Sequence, residues 1–377
     1  MLIDGARIHA SCPNKMDPAA SHVDFAKVRH VEVTRGPFDM TTQGSLAGAI
    51  RIVGKTPAEG LVITPALSAG SFGYYNPSLV ASLAKARVFG LAGYSFRRAR
   101  AFVDGSGKPF TSYANYRPEE RAREAFDAGT AWFRAGGMPI DRQRVELAYT
   151  RQQTGRTLYP YLMMDGVYDH ADRLNASWLA SDAAGPLDRL RVSGYFTRVK
   201  HWMTDEGRTS SAGAPRGFGM ATFAGTRVLG GRVDAGFPSF TAGVEAYRRN
   251  WTASNTMRLT GVYTDQPSMP GVWMTAGGAY VQFHRSLLRR LHVHGGARFD
   301  LASTEARDAS LDTGLYAATP WHAVAQARRR RPIRLRLGDV RLGRRPGTVR
   351  RNRAHRAIPG SPGTLLRPPP HGDGLGG

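Results

Sequence analysis

The chain predicts an all-β membrane fold, a transmembrane antiparallel β-barrel, on three observations. The first is a habit repeated between about Ala58 and His322: some ten residues of alternating apolar and polar character, then a polar or glycine-rich break. The second is the absence of any run of roughly 18 apolar residues, which excludes a helical membrane protein but not a barrel whose strands alternate. The third is the aromatic residues near many segment ends, among them Tyr74, Tyr75, Trp178, Trp202 and Trp251, which suit an interfacial girdle.

The elements follow in order. "VRHVEVTRG" (28–36) and "GAIRIVGKTP" (48–57) read as short strands joined by a glycine-punctuated loop. Alternating segments then begin at 61, 87, 144, 173, 189, 240, 272 and 290, with a long polar loop expected over 101–143. A soluble β-sandwich or β-repeat protein is the competing reading, but the length of the strands and their polar inward set favour the barrel.

The last 55 residues differ. From Ala323 to Gly377 there are fourteen arginines, no lysine, two acids, seven prolines and no aromatic residue. This stretch carries about half of the net charge of +23 and lacks the apolar content to build a core, so it is expected to be disordered. Arginine, proline and glycine rise together where a GC-rich gene is read out of frame, and a frameshift between about Leu315 and Arg328 is expected. The alternative is a basic arm that binds nucleic acid or anionic lipid.

Cys12 is the sole cysteine and stands four residues before Met16 in "ASCPNKMDP". One cysteine excludes an intrachain disulfide framework. The pair is either an accident or half of a soft-metal site, since a lone cysteine is most often a small buried hydrophobe. Pro13 and Asn14 force a bend between them, in a helical turn or a compact loop. No catalytic triad, phosphate-binding loop or paired carboxylate stands out, and no enzyme is expected.

"VEVTRGP" (31–37) followed by "QGSLAGAIRIVGKTP" (43–57) resembles the C-terminal part of the small α/β plug domain of TonB-dependent outer-membrane receptors. The resemblance covers roughly 1–316 and implies a plug portion over 1–57 and a partial barrel over 58–322, while composition sets off the Arg/Pro-rich tail over 323–377 as disordered. Receptors of that family use 22 strands, and 58–322 supplies only about twelve, so an incomplete barrel, truncated at both ends and not competent for transport, is expected. The start "MLIDGARIHA" has no signal-peptide character.

"LIDGARIHASCPNKMDP" is similar to the copper-receptor branch of this family. That branch implies a plug Cys-x-x-x-Met acting with a barrel His-x-Met, which fall here on Cys12 and Met16 and on His201 and Met203 in "VKHWMTDEG". The resemblance implies copper as cargo, the TonB energy-transducing system and outer-membrane lipid as partners, and an outer-membrane location; nucleic acid is not expected. Thiolate, thioether and imidazole suit Cu(I) and are poor ligands for Mg, Ca or Mn. On a strand His201 and Met203 share one face and Trp202 takes the other, towards lipid. A siderophore or other metal-chelate receptor, with Cys12 incidental, is the alternative of the same architecture. "YLMMDGVYDH" (161–170), with Met163, Met164, Asp169 and His170, reads rather as a loop near a strand end, and His292 and His294 as lumen-facing residues.

Overall fold

The computed structural model describes residues 1–36, 39–45, 47–113, 115–288, 291–306 and 331–333. Residues 1–54 form a small four-stranded sheet, with β1 (Leu2–Ile3), β2 (Ala6–Arg7), β3 (Val28–Arg35) and β4 (Gly48–Gly54) in the order β2-β1-β4-β3. β1 runs parallel to β4, and β3 pairs antiparallel with it. Gly48 sits at φ +134°, and a Cβ there would meet the Thr34 carbonyl oxygen at 2.2 Å, so the turn back into β4 requires glycine.

The second unit is one antiparallel sheet. Its strands are β5 (Gly60–Gly70), β6 (Tyr74–Lys85), β7 (Val88–Arg100), β8 (Glu124–Ile140), β9 (Gln143–Thr157), β10 (Asp165–Ala184), β11 (Leu187–Thr204), β12 (Met220–Gly236), β13 (Phe240–Leu259), β14 (Val262–Leu288), β15 (Leu291–Ala306) and β16 (Arg331–Ile333). Each pairs with its sequence neighbour, and among the described residues no pairing joins β5 to the opposite edge. Eleven of these strands, β5 to β15, lie within 58–322, where about twelve were expected; the twelfth, β16, comes from the tail. Of the basic tail, only Arg331–Ile333 is described, as a short strand on β15. The expected frameshift and disorder otherwise fall outside the described residues, as do the side chains of His292 and His294.

The connections are asymmetric. The long ones, 101–123, 158–164 and 205–219, all lie at one end of the sheet, and the opposite end has tight turns such as 141–142 and 185–186. Short turns on one side and long loops on the other are the pattern of an outer-membrane barrel. Side chains alternate as the sequence requires. In β11, Thr197, Val199, His201 and Met203 are buried. Outward positions across the sheet expose Leu83, Phe133, Leu147, Leu174, Leu229, Val244 and Phe283, an apolar face suited to lipid.

Three sequence expectations need correction. The loop expected over 101–143 contains β8, whose "EAFDAGTAWFRAGGMPI" spends its alternating positions on glycine and alanine and so gives a weak hydrophobic signal. β6 and β12 are also missing from the expected segments, one carrying Pro77 and the other four glycines. Trp251 belongs to no lipid-facing girdle: its indole donates to the Ser11 carbonyl at 2.5 Å, across the interface with the small sheet.

The small sheet packs against the inward faces of the strands. Ile3, Ile8, Val23 and Ile52 form one apolar cluster with Ala171 and Val199. Around it the interface is polar. Asp4 pairs with Arg134 at 2.9 Å, Lys27 donates to Thr150 at 2.9 Å, and Glu245 accepts from Arg298 at 2.6 Å and from the Gln43 amide at 2.6 Å. The 1–54 unit thus occupies the concave face of the sheet, in the position of a plug.

Candidate metal centre

Four segments meet where this plug touches β10 and β11. The first is the loop 11–17. The Lys15 amide donates to the Cys12 carbonyl at 3.0 Å, and Lys15 takes φ +57°, closing a tight turn through Pro13 and Asn14. Of the two geometries open for Cys12 and Met16, the compact loop is the one formed. Asp17 fastens it: one carboxylate oxygen accepts from the Ser11 amide at 2.6 Å and hydroxyl at 2.7 Å, and the other accepts from the Cys12 amide at 2.9 Å.

This turn delivers both sulfurs to β11. Cys12, Met16 and Met203 form a buried cluster, with Tyr159, Leu162 and Met164 packed around it. Met203 is fully buried and Cys12 nearly so. Burial pushes the Cys12 thiol up, so a metal that takes the thiolate must displace its proton. Tyr159 covers the cluster and donates to the Met16 carbonyl at 2.9 Å.

His201 precedes Met203 by two residues, shares its face of β11 and is also buried. Trp202 takes the opposite face, within 6.2 Å of Tyr168 and 6.1 Å of Phe223, in an outward aromatic row across β10, β11 and β12. All four ligand candidates of the sequence thus lie in one region. Three belong to one buried cluster, and His201 is on the same face of β11 as Met203.

Other residues join the site that local spacing does not reveal. Asp169 stands opposite His201 in the β10–β11 register and is buried. An Asp169 oxygen lies 4.0 Å from His201 Nδ1 and 4.0 Å from Nε2 of His22, a plug residue that is likewise buried. Asp17, Asp169 and His201 each bring a ligand atom within 4.8 Å of one another. Met164 belongs to the rim of the sulfur cluster rather than to an unrelated loop.

Above the cluster, three loops are tied together by Arg208. It donates to both oxygens of Asp165 at 2.8 and 2.7 Å, to the Tyr116 hydroxyl at 2.8 Å, to the Tyr159 carbonyl at 2.9 Å and to the Asn115 side chain at 2.9 Å. Tyr159 therefore links this knot to the sulfur cluster.

A sheet with long loops at one end, an apolar outer face and a plug against its concave side has the fold of the TonB-dependent outer-membrane receptors. Solved structures bear this out. The copper transporter OprC superposes with a TM-score of 0.70 at 22% identity, covering 81% of this chain and 48% of its own. The ferripyoverdine receptor of the Pseudomonas aeruginosa outer membrane gives 0.52 at 14% identity, covering 74% of this chain and 42% of its own. The FrpB iron transporter from Neisseria meningitidis gives 0.54 at 14%, covering 75% and 48%. The chain spans about half the length of these structures. No family model and no curated protein matches it.

Proposed function

We propose that this chain carries the metal-recognition part of an outer-membrane copper receptor of the TonB-dependent kind, with Cys12, Met16, His201 and Met203 as the ligands for Cu(I). The observation that carries the reading is the convergence of Cys12 and Met16 from the plug with Met203, 187 or more positions further along in the barrel, into one buried cluster. Three sulfurs and a neighbouring imidazole make a soft donor set, the kind that selects Cu(I) over hard cations. The likeness to a copper transporter supports the same reading. In the whole receptor, uptake across the outer membrane would draw on the TonB system.

A ferric-siderophore receptor is the second reading, favoured by the likeness to siderophore and iron transporters. The two differ in what the buried sulfurs do. A Cu(I) titration of the intact chain in detergent, competed against a chromogenic Cu(I) chelator, is expected to show one tight site. A ferric siderophore is expected to give no binding. Siderophore binding without a Cu(I) site would overturn the copper reading.

A further inference from the structure

On the outer wall a basic row interrupts the apolar face. Register places Arg151, Asp172, Arg198, Arg227 and Asn250 directly opposite one another in turn, from β9 to β13. Their chain neighbours Gln152, Val199 and Val228 are buried against the inner side, so the row faces outward. Lys200 stands two residues beyond Arg198 on the same face, opposite His170. On the turn side of the row the outward positions become Tyr149, Leu174, Phe196 and Leu229. A cation on a lipid-facing strand is costly at the bilayer midplane and tolerated near the interface. The row therefore marks the edge of the hydrocarbon, at the end of the sheet that carries the long loops.

These charges are not answered within the protein. Arg198 and Arg227 are direct cross-strand partners, an arrangement of like charge that destabilises a sheet when nothing lies between. Asp172 is also opposite Arg198, yet its carboxylate accepts from the Tyr149 hydroxyl at 2.7 Å and pairs with Arg151 at 3.4 Å. Among the described residues Arg198, Lys200 and Arg227 make no hydrogen bond or ion pair, and Arg198 Nε is buried without a partner.

We propose that Arg198, Lys200 and Arg227 bind the phosphate of a phosphorylated lipid headgroup in the leaflet at the loop end. Opposite side chains on a sheet have Cβ atoms about 4.5–5.5 Å apart and diagonal ones about 7–8 Å, so two arginines and a lysine can converge on one phosphate. Each guanidinium offers phosphate a fork of two parallel hydrogen bonds, and the ammonium adds a point charge. A lipid meets both demands of the surface at once. Its headgroup supplies the anion, and its acyl chains cover the exposed Leu174 and Leu229 below.

No copper ligand takes part, because those side chains lie on the inner face, so lipid and copper binding can fail separately. The full chain in neutral detergent is mixed with lipid A bearing its phosphates, with dephosphorylated lipid A, or with inorganic phosphate, and bound lipid is counted by native mass spectrometry. Selective retention of the phosphorylated lipid is expected. Arg198→Gln and Arg227→Gln should each weaken it about tenfold or more, the loss of one charge-assisted hydrogen bond. Arg142→Gln, in the turn at the opposite end, should change it less than about twofold. With the like-charge pair relieved, lipid-free Arg227→Gln should unfold no earlier on heating than the unmodified chain. Earlier unfolding would overturn the proposal, since it would show that the arginine is answered within the protein. Equal retention of dephosphorylated lipid, unchanged binding by both arginine variants, or displacement of the lipid by equimolar inorganic phosphate would overturn it as well.

Discussion

The Arg208 knot and the His22–Asp169–His201 cluster lie close together in the fold, joined through Tyr159 and the start of β10, and they treat buried polar groups in opposite ways. In the knot every group is answered: Asp165 accepts from Arg208, Tyr116 and the Tyr159 amide, and Arg208 donates in five directions. In the cluster five buried nitrogen and oxygen atoms have no hydrogen-bond partner among the described residues. A fully paired network fixes loops. Burial alone would rank the two alike.

The largest effect on this contrast is expected from the sulfurs. Met203→Ala and Cys12→Ala should each weaken Cu(I) more than the 10- to 100-fold typical of an outer-shell change, as read by chelator competition. Next comes the knot. Arg208→Met strands Asp165 and should cost about 3–5 kcal/mol in local stability, seen as loss of hydrogen-exchange protection in 113–116 and 205–211, with Cu(I) affinity reduced far less. If Arg208→Met abolished Cu(I) binding outright, the division between structural and ligand groups would fail.

Three smaller effects sharpen the picture. Burial raises the Cys12 thiol, so Cu(I) must release a proton, and apparent affinity should fall by up to about tenfold for each unit the pH drops below the thiol pKa. Proton release measured in weakly buffered solution checks this. Lys27, enclosed in the plug–barrel interface, is lowered by burial to about 7 from an ordinary value of 10.5. Between those values the unfolded chain binds more protons than the folded one, so stability should rise as pH rises from about 7 to 10.5, and Lys27→Met should flatten that slope. Trp202→Ala is expected to leave Cu(I) affinity within about twofold, because its side chain lies on the outer face with Tyr168 and Phe223.

Much of the proposed copper set is legible in the sequence. Two-residue parity puts His201 and Met203 on one face, and the Cys12–Met16 spacing fits the plug half. The surroundings of His201 are less so: Asp169 is visible as a candidate donor, but not as the neighbour of His201. Asp169 meets His201 only through the β10–β11 register, which turn and bulge geometry decide and which no local spacing reveals. His22 arrives from the plug, 147 positions before Asp169, through packing of Val23 and Ile52 on Val199. β8 is hidden for a different reason: its alternation is carried by glycine and alanine, which barely register as hydrophobic.

The central claim is that sulfur from plug and barrel binds one Cu(I). X-ray absorption of the Cu(I)-loaded chain tests it most directly. A first shell dominated by sulfur, losing one scatterer in Met203→Ala, is the expected result. A shell of nitrogen and oxygen alone, unchanged in that variant, would contradict it.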